Sequence, residues 1–343
     1  MRVWFNKGFS SLHTALRLIR QGAAADGKAV TLFASGAHPQ ALVALAADHY
    51  WTEPAGLAQP AYVDWCLEMC RQHAIDVLVP SKAVQALVAD SARFAAQGTR
   101  LLAAGDGATL ALLEDKARFY ATVACPPAPA PESITVQTLA EFDAAYEALA
   151  TRHAQVCIKP AVGVYGIGFR RIRTDVSAMD VLLRGMDYQI DLPTLRFMLG
   201  QVPSWAPLLV MEYLPGAEYS VDCLADAGVL RCAVARRKGT APGQGQCIDM
   251  RADLQDACAR IVAQFGLNGY LNIQFRDGAH GPGLLEVNAR MSGGIAMACL
   301  AGPNLPWLGL QGFANGYAGL EMGPIADGLR VGEMNQATVL PCA

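Results

Sequence analysis

The feature that most constrains this chain is a change of rhythm along its length. Up to residue 105, short apolar runs alternate with amphipathic stretches at helical spacing. Val3–Asn6, Ala29–Ala34, Tyr50-Trp51, Val77–Pro80 and Leu101–Ala103 read as strands. Leu12–Gln21, Pro39–Ala47, Ala61–His73 and Ala83–Gln97 read as helices. That order implies a small parallel sheet with helices on both faces. After residue 208 the strand signals dominate and tight turns join them: Leu208–Tyr213, Tyr219–Ala225, Val229–Arg237, Gly269–Phe275 and Leu284–Ala289, with Asp226-Ala227-Gly228 and Asp277–Pro282 between neighbours. Such hairpins make antiparallel sheets. Between the two regimes lie a helix over Thr109–Thr122 carrying Asp115-Lys116, and then Cys125–Pro131. Four prolines in that segment make an extended linker and a domain boundary.

At 343 residues the chain has room for two or three cores. Hydrophobic residues at 53% and charged residues at 17% describe a folded chain, not a disordered one. A net charge of -3 offers nothing to draw nucleic acid or an anionic membrane, so neither partner is expected. Ten cysteines are scattered singly, and the Cys66/Cys70 pair has no second pair to complete a zinc site. Buried reduced thiols and a cytoplasmic location are the expectation. Met1–Gly8 reads as a strand running into a loop, not as a leader. The charge-free runs Ala29–Ala47 and Met291–Leu320 are broken by Gly, Pro and polar residues, so no membrane span is expected. The six histidines are dispersed, and no G-x-S-x-G or Cys/His signature marks covalent hydrolysis.

One stretch concentrates chemistry. In Leu284–Gly294, Glu286, Asn288 and Arg290 alternate with apolar residues and share one face of a strand. An acid and an amide offer oxygens to a hard cation, and a guanidinium clamps a phosphoryl group. The same alternation also describes a strand with one wet face. Other segments are as open. Lys7–Ser11 suits either an anion at a helix N-terminus or a cap from Ser10 or Ser11. Pro80-Ser81-Lys82 ends a strand on the side where open α/β sheets place ligands. Lys159 ends the Val156–Pro160 strand, and Gly163, Gly166 and Gly168 follow in a hairpin that suits either a phosphate cover or a tight turn. Arg236, Arg237 and Lys238 are either a clamp for an anionic substrate or a basic strand end on the surface.

The order of these motifs is more specific than any one of them. Lys116, Lys159, the glycine hairpin, Glu212-Tyr213-Leu214, Glu218, the Asn272–Phe275 strand and Glu286–Arg290 succeed one another in a way that resembles the ATP-grasp superfamily. The metal strands resemble the branch typified by carbamoyl phosphate synthetase. The opening Val3–Ser11 segment resembles the ATP-grasp proteins found beside tellurium-resistance genes. The resemblance implies a Rossmann-like parallel α/β domain over residues 1–105, a linker helix and lid subdomain over 106–215, and a C-terminal subdomain with the metal site over 216–343. Together these form an α/β and α+β protein. It implies that Lys116 and Lys159 contact ATP phosphates and that the Gly163–Gly168 hairpin closes over them. Glu212, Tyr213 and Leu214 would line the adenine edge, and Glu218 would hold the ribose. Gln274, Glu286 and Asn288 would hold Mg2+ or Mn2+, and Arg290 would face the transferred phosphoryl group, with Arg237 on the substrate side. The implied activity joins a small carboxylate to an amine through an acyl phosphate, releasing ADP and phosphate. The alternatives are an ATP-binding regulator of the same fold and a phosphoryl transferase that stops at the phosphorylated product. A homodimer is a further expectation. Two positions depart from the pattern: Gln274 stands where many relatives have an acid, and Ala289 where the branch has proline.

Overall fold

A computed structural model of the chain describes residues 1–7, 11–163, 166–183, 188–241, 243–334 and 336–339. It divides into two compact units. The first comprises Met1–Ala111, Tyr219–Gln274 and Val287–Ala343, the second Leu112–Glu218 and Phe275–Glu286.

In the first unit, β1 (Arg2–Asn6), β2 (Thr31–Gly36), β3 (His49–Thr52), β4 (Val77–Pro80) and β5 (Arg100–Leu101) form a sheet of order β3-β2-β1-β4-β5. All its pairings are parallel. The central strands β1, β2 and β4 are buried because helices cover both faces, whereas the edge strands β3 and β5 are half-buried or exposed. Helix α1 (Leu12–Ala25) shows the logic: Leu12, Ala15, Leu16, Ile19 and Ala23 fall on one stripe and all are buried. The expected helix over Pro39–Ala47 shrinks to a 3-10 turn at Leu42–Leu45, whose Leu42 and Leu45 are exposed. Val43 and Ala46 are the residues of this segment buried in the core, too short an apolar stripe to carry a full helix. Helix α2 (Gln59–Gln72) follows expectation. The Ala83–Gln97 helix is two pieces, α3 (Val84–Ala89) and α4 (Ser91–Ala96), which break at Asp90.

The Thr109–Thr122 helix is likewise two, α5 (Gly107–Glu114) and α6 (Lys116–Thr122). Asp115 leaves helical geometry between them, and its carboxylate accepts from the amides of Ala117 and Arg118. An aspartate inside a predicted helix has become an N-cap, and Lys116 is thereby the first helical residue.

In the second unit, β6 (Ser133–Val136), β7 (Val156–Pro160), β8 (Arg170–Arg173), β9 (Gln189–Asp191) and β10 (Leu208–Glu212) form a sheet of order β6-β10-β7-β8-β9. It is antiparallel except that β8 and β9 run parallel. Helices α7 (Leu139–Ala150), α8 (Ala178–Leu183) and α9 (Leu192–Leu199) belong to it. Helix α7 starts with a capping box in which Thr138 and Glu141 satisfy each other's amides. The core here joins Phe142, Leu149, Ile158, Ile172, Leu195 and Val210.

The third sheet has order β15-β14-β11-β12-β13-β16, from β11 (Glu218–Asp226), β12 (Val229–Lys238), β13 (Gln246–Ile248), β14 (Gly269–Gly278), β15 (Gly281–Asn288) and β16 (Arg330–Val331). β11–β12, β12–β13 and β13–β16 pair antiparallel. Helices α10 (Ala252–Gln264), α11 (Ile295–Cys299) and α12 (Leu305–Asn315) complete the chain. Within the first unit, one core cluster runs from Val3, Phe5 and Leu16 through Leu224, Val234 and Tyr270 to Ile295 and Trp307. All nine described cysteines are free. No helix among the described residues is long and apolar enough to cross a membrane.

Helices α1 and α12 meet at a glycine. A Cβ placed on Gly22 would lie 2.5 Å from Cγ of Trp307, whose indole donates to Asp26 at 2.7 Å. In an open helix glycine-to-alanine stabilises by about 0.5–1 kcal/mol. Here the sign reverses: Gly22→Ala is expected to destabilise by about 1–3 kcal/mol through overpacking, measured as a lower urea midpoint.

Candidate functional site

In the second unit two lysines converge. Lys116, placed at the start of α6 by the Asp115 cap, is buried; its Nζ donates to the Gly163 carbonyl at 2.9 Å and stands 3.6 Å from Oε2 of Glu286. Its own amide donates to the Ala161 carbonyl at 2.9 Å, which ties the helix start to the end of β7. Lys159 on β7 donates to the phenolic oxygen of Tyr120 at 2.7 Å and lies over that ring. Tyr120 in turn donates to the Leu285 carbonyl at 2.6 Å. Burial pushes the Lys159 ammonium down to about 8, and the Lys116 charge pushes the same way, while Glu286 opposes both. Two ammonium groups thus share one carboxylate in a sheltered place, a local excess of positive charge suited to an anion. Tyr120 escaped the sequence reading, although it lies four residues after Lys116 and so on the same helix face.

The glycine hairpin lies between β7 and β8. Gly166 and Gly168 have left-handed backbones, with φ of +66° and +81°. Gly163 has no such need, and its role is its carbonyl, which holds Lys116. Val164 and Tyr165 of the hairpin lie outside the described residues, as do Gly8–Ser10 of the first loop and Pro242 of the basic loop.

At the end of β10, Glu212 stands 3.6 Å from Nδ1 of His153, whose Nε2 meets Glu132 at 2.6 Å. The Tyr213 amide donates to the Gln155 carbonyl at 3.0 Å. The guanidinium groups of Arg171 and Arg276 both lie over the Tyr213 ring, at 4.8 and 5.1 Å from the centroid. Leu214 is buried against Gly278 and Gly283, where a side chain would collide with it. Glu218 pairs with Arg276 at 3.5 Å, and Arg276 also reaches the Tyr213 hydroxyl at 3.1 Å and the Gly216 carbonyl at 3.2 Å. Arg276, unmarked in the sequence, therefore links two of the expected nucleotide residues, Tyr213 and Glu218, to the Gly216 backbone between them.

In the first unit the centre is Arg236, 2% exposed on β12. It donates from Nε and Nη2 to Oδ2 of Asp222 at 3.0 and 2.7 Å, from Nη2 to the hydroxyls of Ser220 and Ser292, and from Nη1 to Gln246. Gly294 lies so close that a Cβ would stand 2.5 Å from Nη1. Arg237, its neighbour, points the other way, is about half exposed and stands 3.5 Å from Asp249. Of the basic run, alternation sets Arg237 on the opposite face from Arg236 and Lys238, and Arg236 is the one that is buried. Gln274 donates its amide to Oδ1 of Asn272 at 3.2 Å. Arg290 donates to Oδ1 of Asn288 at 3.2 Å and to the Met291 carbonyl at 3.1 Å. Ser11, a candidate either to cap the helix or to meet an anion, makes no cap hydrogen bond and donates to the Ser292 carbonyl at 2.9 Å. Lys82 pairs with buried Glu53 at 2.6 Å.

Among the described residues no three His, Cys, Asp or Glu side chains cluster as a metal site. The expected set, Gln274, Glu286 and Asn288, contains one acid and two amides, so any divalent cation on it draws on other oxygens. Two of these groups already meet a positive side chain, each within its own unit: Lys116 stands on Glu286 in the second, and Arg290 on the side-chain oxygen of Asn288 in the first, so the donor types suit a cation.

Residues 204–337 match a family described as ATP-grasp in the biosynthetic pathway with Ter operon. A stretch of 113 residues, 29% of this chain, is 34% identical to carnosine synthase 1 of Gallus gallus and covers 12% of that protein's length. Among solved structures, an L-amino acid ligase from Bacillus licheniformis superposes with a TM-score of 0.62 at 16% identity, over 94% of this chain and 77% of that one. The ADP complex of an N5-carboxyaminoimidazole ribonucleotide synthetase gives 0.64 at 12% identity, over 90% and 76%. A biotin carboxylase from Campylobacter jejuni gives 0.60 at 14%, over 97% and 72%. At these identities the superpositions establish the fold.

The lysine pair generates a prediction. With its folded pKa held near 8, below the 10.5 of a free lysine, Lys159 binds fewer protons than the unfolded chain between those values. Stability therefore rises with pH across that window, and the penalty is fully present below it. The pH slope of the urea midpoint between 8 and 10.5 is expected to be less positive in Lys159→Met than in the parent.

Proposed function

We propose that this chain is an ATP-grasp enzyme, an ATP-dependent ligase that joins a small-molecule carboxylate to an amine. The carboxylate oxygen attacks the γ-phosphorus of ATP, ADP leaves, and an acyl phosphate forms. The amine nitrogen then attacks the acyl carbon, inorganic phosphate departs with the bonding pair, and the nitrogen loses a proton to give the amide. The observation that carries the reading is the sheltered Lys116–Lys159 pair, whose two charges face the single carboxylate of Glu286. Polyphosphate supplies the missing negative charge, and phosphoryl transfer asks the protein for positioning and neutralisation more than for a nucleophile.

In this reading Lys116 and Lys159 hold the phosphates, and Gly163, Gly166 and Gly168 belong to the cover above them. The Glu212–Leu214 backbone takes the adenine edge. Glu218, oriented by Arg276, takes the ribose. Gln274, Glu286 and Asn288 are the oxygen ligands of Mg2+, which when bound neutralises phosphate charge. Arg290 contacts the transferred phosphoryl group, and Arg237 serves the substrate side. The stretch shared with carnosine synthase 1 and the ligases of like fold support an amide-forming role.

Glu286→Ala and Lys159→Ala are each expected to lower ADP release by about 10²-fold or more, the scale for losing one transition-state charge partner, while circular dichroism stays unchanged. Undiminished turnover in both would sink the site assignment. With a carboxylate substrate and no amine, hydroxylamine is expected to yield a hydroxamate. Its absence during steady ADP release would argue against the acyl phosphate.

A further inference from the structure

The buried polar chain behind Gln274 fixes which end of that amide faces outward. Asn272 is buried, and its Nδ2 donates to the Ser220 hydroxyl at 2.9 Å, the Val221 carbonyl at 3.3 Å and Oδ1 of Asp222 at 3.1 Å. Two of these three, a carbonyl and a carboxylate, can only accept. Arg236 donates twice to the other oxygen of Asp222, so the oxygen facing Asn272 is an acceptor. Turning the Asn272 amide over would set its oxygen against those acceptors in a buried place, a loss on the scale of an unmade buried hydrogen bond. Its Oδ1 is therefore committed toward Gln274. That oxygen can only accept, so Gln274 presents its nitrogen to it and directs its own carbonyl oxygen the other way.

We infer that the Arg236–Asp222–Asn272 chain is a positioning device that sets Gln274 as an oxygen donor to a divalent cation and prevents it from acting as an N–H donor to phosphate. Resting on the metal reading above, the inference also accounts for an amide at this position. A glutamate at 274 would bring a carboxylate against the committed acceptor oxygen of Asn272, whereas glutamine supplies both the inward N–H and the outward oxygen. The sequence signal is simple in retrospect: Asn272 precedes Gln274 by two residues on one strand face. Asp222 and Ser220 alternate on β11 in the same way, with Ser220 opposite Arg236 on β12.

The test is a double-mutant cycle read as Mn2+ affinity. Mn2+ is titrated into enzyme saturated with ADP, and the free ion is counted by electron paramagnetic resonance. Asn272→Ser keeps a hydroxyl donor for Asp222 but is too short to reach Gln274; Gln274→Leu removes the ligand. Each single change is expected to weaken Mn2+ at least fivefold, and Asn272→Ser to add less than twofold in the Gln274→Leu background. An equal loss in both backgrounds overturns the positioning role and leaves Gln274 as a ligand. Unchanged Mn2+ affinity in Gln274→Leu overturns the metal assignment and the inference with it. Should Asn272→Ser lose its near-ultraviolet dichroism, Asn272→Thr takes its place under the same criteria.

Discussion

The Arg236–Asp222 ion pair is the contact on which the first unit's polar architecture rests. Taking both charges out of water costs several kcal/mol per ion, and their attraction alone repays that only with excellent geometry. Here the guanidinium is answered by Asp222, Ser220, Ser292 and Gln246, and the carboxylate by Arg236 and Asn272. The partners come from β11, β12, β13, β14 and the turn after β15. The pair is thus a register pin: a one-residue slip of β12 would carry Arg236 to the exposed face where Arg237 stands. Removing one partner would strand a buried charge, which costs about 3–5 kcal/mol. Keeping both brings specificity of placement more than net stability.

The second unit solves the opposite problem. Its lysine pair is not closed upon itself. Lys116 and Lys159 are held by neutral oxygens, those of Gly163, Tyr120 and Leu285, and by one carboxylate at 3.6 Å. Neutral acceptors orient an ammonium without cancelling its charge, which is why the Lys159 proton is loosened by burial instead of tightened by pairing. A closed network fixes side chains in place, whereas an open one leaves charge available to an anion.

How much of this was legible in sequence depended on whether the deciding contacts were local. The parallel sheet of residues 1–105 could be read because a strand buried on both faces must be apolar throughout, and Val3–Phe5 and Val77–Val79 are. The Lys159, Gln274 and Glu286 strands carry their chemistry at period two, and the structure puts each on a strand. The Asp115 break could not be read from periodicity, since Thr109–Thr122 keeps its apolar spacing across it; only the competing Asx hydrogen bonds decide. Helix α12 was missed because Leu305–Asn315 is apolar nearly all round and lies among glycines and prolines. Its burial against α1 through Trp307 and Gly22 is a tertiary fact with no local trace. Arg236 was visible as one of three basic residues, but the choice between it and Arg237 needed the strand's inward face.

The exchange of an acid for Gln274 has a consequence for how the proposed site is charged. Glu286 is then the one anionic side chain of the ligand set, and Lys116 already stands on it. Asn288 is likewise engaged by Arg290. Two of the three groups proposed for the cation thus face cationic side chains that the same reading assigns to the phosphates. A divalent ion arriving without nucleotide would displace these contacts for one carboxylate charge, a poor trade for an ion reluctant to shed its water. Arriving with polyphosphate, it brings its own anionic oxygens and gives Lys116 and Arg290 the phosphate groups they are positioned to take. In the proposed reading this charge count would couple metal to nucleotide binding, and the orientation of Gln274 would matter because a neutral ligand contributes by direction alone.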